Sequence, residues 1–151
     1  MKLLEMNTID FQEYMKKNDA VIIPCGAFEI WGPHLPVGAD TIIAEEMANR
    51  LADRMGWIVG PTISAGDSLF SWGPGAVTVR PDSFRNYLED VCMSLLKHGI
   101  RRFCFLNPHV GNVPMIGHVA AKLKIEHGAS CCLFDWWRFI QPLCSKEKIL
   151  D

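Results

Sequence analysis

The sequence contains no run of about 18 apolar residues, the length from which a membrane-spanning helix is considered. It also lacks an excess of one charge, because 15 Lys and Arg residues stand against 17 Asp and Glu residues. Nucleic-acid-binding proteins typically carry a basic surface, so we expect neither a nucleic-acid nor a membrane partner. Residues 1–7 turn polar too soon for a secretory signal peptide, and we therefore expect a cytoplasmic protein.

Several common catalytic signatures are missing. The chain has no G-x-S-x-G nucleophile elbow, no G-x-x-x-x-G-K-[ST] phosphate loop and no G-x-G-x-x-G fingerprint. Its six cysteines form no C-x-x-C pair, and the adjacent Cys131 and Cys132 would point to opposite faces of a strand. We therefore expect reduced and mostly buried thiols.

The length of 151 residues and the hydrophobic content of 49% suit one domain with a real core, which we predict over residues 1–151. Short apolar runs alternate with amphipathic stretches, which predicts an α/β fold with a largely parallel sheet. Thr8 is the expected N-cap of the first helix. The predicted helices cover residues 9–17, 41–55, 81–98 and 113–127, the predicted strands cover 20–25, 57–61, 76–79, 101–107 and 129–134, and residues 62–75 are predicted to be a surface loop.

Two loops rich in Gly and Pro carry the residues with the clearest chemistry. One follows the strand at 20–25 and contains Glu29, His34 and Asp40, and the other follows the strand at 101–107 and contains His109. Ligand sites of parallel α/β sheets lie beyond the carboxyl ends of the strands, so both loops should reach the same edge. Imidazole and carboxylate together are ligands for Zn²⁺, Mn²⁺ or Fe²⁺, and a metal-bound water is a nucleophile near neutral pH.

Each candidate also has an ordinary structural interpretation. Asp40 precedes the helix predicted at 41–55 and could be its N-cap, and His109 could be a turn or core residue. Glu29 is harder to explain that way, since a carboxylate among apolar neighbours needs a partner if it is buried. His98, His118 and His127 fit ordinary surface positions. Four aromatic residues could line a pocket, although core packing or an oligomer interface is the more common role: Phe70, Trp72, Trp136 and Trp137.

Three segments of the chain resemble the creatininase (creatinine amidohydrolase) family. Residues 26–41 resemble the family pattern G-[ST]-x-E-Q-H-G-P-H-L-P-x-x-x-D-T, and residues 74–83 resemble P-G-T-x-[ST]-x-x-P-E-[ST]. Residues 106–112 resemble the pattern [VN]-N-G-H-G-G-N. Order and spacing agree across roughly residues 20–135, so the resemblance covers most of the chain.

The resemblance implies a creatininase-like α/β fold, with a mostly parallel sheet flanked by helices on both faces, and often a hexamer. It implies one metal held by Glu29, Asp40 and His109, with Zn or Mn as the expected ion and Fe as a further candidate. A second metal of the family uses a His where this chain has Trp31, which cannot ligate. In creatininase itself a further ligand is a Glu, whose place here is Gly111.

The function expected from this resemblance is metal-dependent hydrolysis of a C–N bond in a small cyclic amide or related compound. Glu29 and His34 are the candidate catalytic residues, His34 as an orienting group or proton carrier. Family members are longer, so the chain is expected to be a short member lacking the C-terminal part. That part would come from another chain, in a homo-oligomer or a hetero-oligomer. The alternative is a catalytically degenerate subunit with a structural or ligand-binding role.

Overall fold

The sheet is parallel throughout and positions both candidate loops. The structure, a computed structural model, describes residues 1–146. Its four strands stand in the order β2-β1-β3-β4, and every neighbouring pair is parallel. The bounds are Ala20–Pro24 for β1, Ile58–Val59 for β2, Arg102–Asn107 for β3 and Ser130–Asp135 for β4. The mostly parallel sheet predicted from the sequence is confirmed.

Five α-helices accompany the sheet, and two of them end at glycines in the left-handed conformation. Gly56 has φ 65° and Gly128 has φ 66°, a conformation that costs little without a Cβ. Each glycine directly follows a helix predicted from the sequence, at 41–55 and at 113–127. The helices are α1 (Thr8–Met15), α2 (Ala39–Met55), α3 (Pro81–Lys97), α4 (Val113–His127) and α5 (Trp136–Lys146), with short 3₁₀ turns at Leu3–Glu5, Leu69–Ser71 and Val110–Asn112. None of the helices in residues 1–146 is long and apolar enough to span a bilayer.

Helices cover both faces of the sheet, as the creatininase-like fold predicts. Successive strand residues point to opposite faces. One face packs on α2, whose small side chains allow a close approach: Ala44, Ala48 and Ala52 lie with Ile22, Cys104 and Leu106. The other face forms the larger core with α1, α3 and α4, and its members include Val21, Ile23, Phe103, Phe105, Phe84, Leu88, Ile116 and Val119.

Two local predictions were wrong. The first helix is capped by Asn7, because the Asn7 side chain accepts the backbone N–H groups of Ile9 and Asp10, whereas Thr8 is already helical. The apolar run at 76–79 is extended, but its amides donate to loop carbonyls, so it joins no strand of the sheet. The tail, for which no element was predicted from the sequence, forms α5. Residues 147–151, which belong to the domain predicted over residues 1–151, lie outside the described residues.

The cysteines are unpaired, as expected for reduced thiols. Cys25, Cys92 and Cys104 are buried, whereas Cys131 and Cys144 are partly exposed and Cys132 is exposed. Burial raises the pKa of the Cys104 thiol to about 12, so this thiol stays protonated and unreactive at neutral pH. The expectation of buried thiols therefore holds for half of them.

Candidate metal centre

The sheet order explains why the two loops meet. The chain moves from β1 to β2 on one side of β1, then returns to place β3 on the other side. Loops that leave β1 and β3 therefore diverge over a crevice at their carboxyl ends, where parallel sheets bind ligands. The first loop carries Glu29 and leads into α2, and the second carries His109 and leads into α4.

Glu29, Asp40 and His109 lie together in this crevice. One ligand atom of each lies within 4.8 Å of the others. Nδ1 of His109 is 3.0 Å from Oδ2 of Asp40 and 3.3 Å from Oε2 of Glu29. Two carboxylates and an imidazole that converge in this way form a ligand set for a divalent metal.

The imidazole of His109 is held from its far side. Its side chain is 5% exposed, and Nε2 lies 2.7 Å from the carbonyl oxygen of Asp67. Burial acts to lower the pKa of His109. The hydrogen bonds to Asp40 and to the Asp67 carbonyl, with the charge of Glu29, outweigh it and raise that pKa. The pocket therefore favours a cation between Nδ1 and the carboxylates, either a proton or a metal ion.

Asp40 is fully buried at 0% exposure and lies in the first turn of α2. The N-cap of this helix is Gly38, so the N-cap interpretation of Asp40 is wrong. Its Oδ1 has no hydrogen-bond partner among the described residues, although an unpartnered buried carboxylate oxygen costs free energy. A metal ion bound to Asp40 would remove that cost, so the donor set fits a metal.

Glu29 is the ligand candidate that reaches the open side of the crevice, with its side chain 12% exposed. Burial raises its pKa, while the charge of His109 and a hydrogen bond with Ser71 act to lower it, and the net shift is upward. Glu29 also lines a cavity of about 180 Å³, whose other walls include Ser68, Ser71, Val110 and Trp137. Glu29 therefore faces both the cavity and the other two ligand candidates.

The four aromatic residues divide around this cavity. Phe70 and Trp137 line it, although Phe70 remains 99% exposed. Trp72 is an exposed surface residue, and Trp136, the first residue of α5, is half-buried outside the cavity lining. Trp31 stacks on Trp137 with ring centroids 5.4 Å apart, and the Trp137 indole N–H donates to the carbonyl of Pro108. Trp31 therefore supports a cavity wall. A larger groove of about 560 Å³ runs along α1, away from the crevice.

His34 does not join the site. It is exposed beyond Gly32, whose φ of 76° reverses the chain, and it makes no hydrogen bond to the three ligand candidates among the described residues. The structure therefore gives no contact through which His34 would orient a ligand, and its role as a proton carrier stays a prediction. His98, His118 and His127 are exposed, as expected. Sequence reasoning missed the Asp67 carbonyl and the serines Ser68 and Ser71, because neither a backbone group nor a loop serine carries a distinguishing signal.

A comparison with protein families agrees with this geometry. The creatininase family model, described as creatinine amidohydrolase, matches residues 4–149. The chain belongs to the creatininase family. Its predicted family resemblance is therefore confirmed, and so is the fold that came with it.

Curated relatives differ in what they act on. A 3-dehydro-scyllo-inosose hydrolase of Thermotoga maritima is 31% identical over 90% of this chain and 45% of its own length. A mycofactocin precursor peptide peptidase of Mycolicibacterium smegmatis is 32% identical over 70% of this chain and 45% of its own. A creatinine amidohydrolase of Pseudomonas putida is 25% identical over 72% and 44%. The chain thus spans about half the length of these relatives.

Solved structures confirm the fold. A structure described as "Creatininase Mn" superposes with a TM-score of 0.85 at 20% identity, covering 99% of this chain and 63% of that one. A mutant creatininase described as "Zn-Zn type" gives a TM-score of 0.79, also at 20% identity, over 97% and 62%. The parallel sheet with helices on both faces is therefore the creatininase architecture.

Proposed function

We propose that this chain is a metal-dependent hydrolase that cleaves a C–N bond in a small cyclic amide or related compound. The observation that carries the proposal is the convergence of Glu29, Asp40 and His109, with an unpartnered buried oxygen on Asp40, beside a cavity. Zinc and manganese are the proposed metals, because the ligand set suits both. Two of the similar solved creatininases, described as "Creatininase Mn" and "Zn-Zn type", support this choice.

The chain's own residues would divide the work. Asp40 and His109 are buried and held in place, and Glu29, which also faces the cavity, would complete the ligand set of the metal. A divalent metal, when bound, supplies a water that ionises near neutral pH. The carboxylate of Glu29 on the cavity side would be placed to hold a proton and pass it to the leaving nitrogen. Trp31 and Trp137 would exclude bulk water from one wall.

The test compares metal content and hydrolysis in wild type and His109→Ala. We expect about one Zn or Mn per wild-type chain and none in the variant, because His109 is the only nitrogen ligand of the cluster. Elemental analysis of protein purified without chelators measures this, and cyclic amides and short peptides form the substrate panel. His118→Ala, an exposed change on α4, is the control. Hydrolysis that survives His109→Ala would refute the metal mechanism.

A second candidate function is a structural or ligand-binding subunit. Trp31 favours it, because a tryptophan occupies the place of a family metal ligand and packs on Trp137. Wild-type protein that binds no metal after reconstitution with Zn²⁺ and Mn²⁺ would select this second function.

We also propose that the chain assembles as an oligomer in the cytoplasm. Leu69, Phe70 and Trp72 support the assembly, because these neighbouring apolar side chains stand largely exposed. All six cysteines are unpaired, which supports a reducing compartment such as the cytoplasm. The partner would be a further copy of the chain or a different chain, and the molar mass in solution distinguishes the two.

A further inference from the structure

We propose that Cys104 and Cys132 form a reversible oxidation site, at which hydrogen peroxide converts the two thiols into a disulfide between β3 and β4. Neither cysteine lines the cavity beside Glu29. The proposed oxidation therefore does not depend on the proposed metal chemistry, and each can fail without the other.

The register of the sheet places the two cysteines side by side. Cys104 of β3 and Cys132 of β4 are paired residues of neighbouring parallel strands. Side chains of such a pair leave the sheet on the same face, and neighbouring strands lie about 4.8 Å apart. The Cα atoms of a disulfide are usually about 4.4–6.8 Å apart, so this pair can be bridged without rearranging the fold. Burial, the charge of Cys132 and a hydrogen bond with Cys132 all raise the pKa of Cys104, so the two thiols are in contact.

Cys131 is directed away from this pair. Successive residues of a strand point to opposite faces of the sheet. Cys131 packs against the larger core, which contains Cys92, whereas Cys104 belongs to the smaller core beside α2. Cys131 is therefore one residue from Cys132 in the sequence but on the other side of the sheet, which makes it a matched control.

The two thiols differ in their access to solvent, and this difference fixes which one reacts first. Cys132 is exposed, whereas Cys104 is 7% exposed and protonated, and thus unreactive towards reagents in solution. The sulfur of Cys132, as the thiolate, attacks one oxygen of hydrogen peroxide. The O–O bond breaks, a sulfenic acid forms, and the departing hydroxide takes up the proton that the thiol released and becomes water.

Cys104 completes the reaction because of its position. A group held beside its partner reacts at an effective concentration far above any in solution. The sulfur of Cys104 attacks the sulfenic sulfur of Cys132, the S–S bond forms and the S–O bond breaks. The proton of Cys104 leaves with the hydroxyl group as water. Two thiols and one peroxide thus give one disulfide and two water molecules.

The geometry also favours a bond that is easily reduced. The Cβ atoms of a disulfide are usually about 3.5–4.5 Å apart, which is less than the spacing of the strands. Closing the bond therefore pulls the edge strand β4 towards β3, and strained disulfides are the ones that thiols reduce readily. Such a bond keeps exposed Cys132 from irreversible oxidation to the sulfinic acid until a reductant restores both thiols.

The first experiment locates the bond. Native wild type is treated with a small excess of hydrogen peroxide, free thiols are alkylated, and proteolytic peptides are analysed by mass spectrometry. We expect two peptides joined through Cys104 and Cys132, which separate after treatment with dithiothreitol. Oxidised wild type without this joined pair, or with Cys92 joined to Cys131, would overturn the proposal.

The second experiment compares the two adjacent cysteines. Cys132→Ala should lose the joined peptides completely, whereas Cys131→Ala should form them as wild type does. A joined pair that persists in Cys132→Ala, or one that is lost in folded Cys131→Ala, would contradict the assignment. Circular dichroism shows whether each variant is folded, and the wild-type peptide map decides the proposal even if one is not.

The third experiment tests the order of events and the reversibility. Cys104→Ala leaves exposed Cys132 without its partner, so the sulfinic acid of Cys132 should become the main product at the peroxide dose that gives wild type the disulfide. Oxidised wild type should return to the dithiol in an excess of reduced glutathione. Cys132 that remains a thiol in Cys104→Ala would refute its role as the first residue to react. A disulfide that survives the glutathione would refute reversibility.

Discussion

Trp31 is the residue whose replacement asks most directly how many metals the crevice can hold. It stands where the family resemblance expects a histidine ligand, and its ring stacks on Trp137. We predict that Trp31→His raises the zinc content above that of wild type, because it restores an imidazole beside Glu29. Elemental analysis after zinc loading measures the change, with Trp72→His at an exposed position as the control. Unchanged content would mean that the remaining ligands of a second site are missing.

Asp40 should contribute to both stability and metal binding. Its buried carboxylate faces Nδ1 of His109 at 3.0 Å and acts to raise the pKa of that imidazole. Asp40→Asn removes the negative partner of this buried contact, so we expect the free energy of unfolding of metal-free protein to fall by about 1–3 kcal/mol. The same change should abolish metal binding. Urea unfolding and elemental analysis check the two expectations, and exposed Asp90→Asn serves as the control. A metal-free variant as stable as wild type would contradict this account.

At the level of residues, the sequence predicted which ligand candidates meet but not what holds them. Glu29, Asp40 and His109 were predictable, because their residue types and their place after parallel strands both carry signal. The Asp67 carbonyl was not, since every residue has a carbonyl and only the folded loop brings this one to His109. His34 was predicted to lie at the site from its motif alone, whereas after the turn at Gly32 its side chain is exposed.

Helix α1 offers a test of a corrected prediction at the level of elements. Asn7 accepts backbone N–H groups in a capping box completed by Asp10, whereas Thr8 makes no cap. We predict that Asn7→Ala lowers the free energy of unfolding by about 1 kcal/mol, the usual value of an N-cap side chain. Thr8→Ala should change it little. Urea unfolding compares the two, and an equal loss in both variants would contradict the assignment.

The pairing of α3 with α4 should depend on pH. Glu89 on α3 accepts a hydrogen bond from Lys122 on α4, and this bond lowers the pKa of Glu89 below 4.5. A carboxyl with a lowered pKa in the folded state stabilises above its unfolded pKa, and the contribution disappears as pH falls through the folded pKa. Glu89→Gln should therefore be less stable than wild type at neutral pH, with the difference closing as the pH falls below about 4. A difference that persists in strong acid would contradict this.

Elements were predictable where local signals agreed with tertiary contacts. Helices α3 and α4 both have a proline in the first turn, and α4 also ends at a glycine. The predicted bounds of these two helices differ from the structure by at most one residue. The run at 76–79 has strand composition, but its partners are loop carbonyls, which no periodicity reveals. Helix α5 contains Pro142, a residue that normally ends helices, so local signals argued against a helix there.

At the scale of the whole molecule, the sheet order creates the site. Strands β1 and β3 are neighbours, but the helices that follow them, α2 and α4, lie on opposite faces of the sheet. The loop from β1 to α2 and the loop from β3 to α4 therefore separate and leave a crevice between them. A parallel sheet was predictable from the alternation of strands and helices, but its order required the resemblance to a known fold. The walls of the crevice also reach the surface at Phe70, so the site and any assembly are close to each other.

Self-association through the segment Leu69–Ser71 and Trp72 is the prediction for the whole molecule. Phe70 is 99% exposed and contributes almost nothing to the packing of one chain, so Phe70→Asp should leave the fold intact. We expect wild type to show a molar mass that is a multiple of 17.0 kDa and Phe70→Asp a smaller one, because a charge at an apolar interface opposes association. Size-exclusion chromatography with light scattering measures both, with Tyr87→Asp on α3 as the exposed control. Monomeric wild type, or an unchanged mass in Phe70→Asp, would contradict an assembly through this segment.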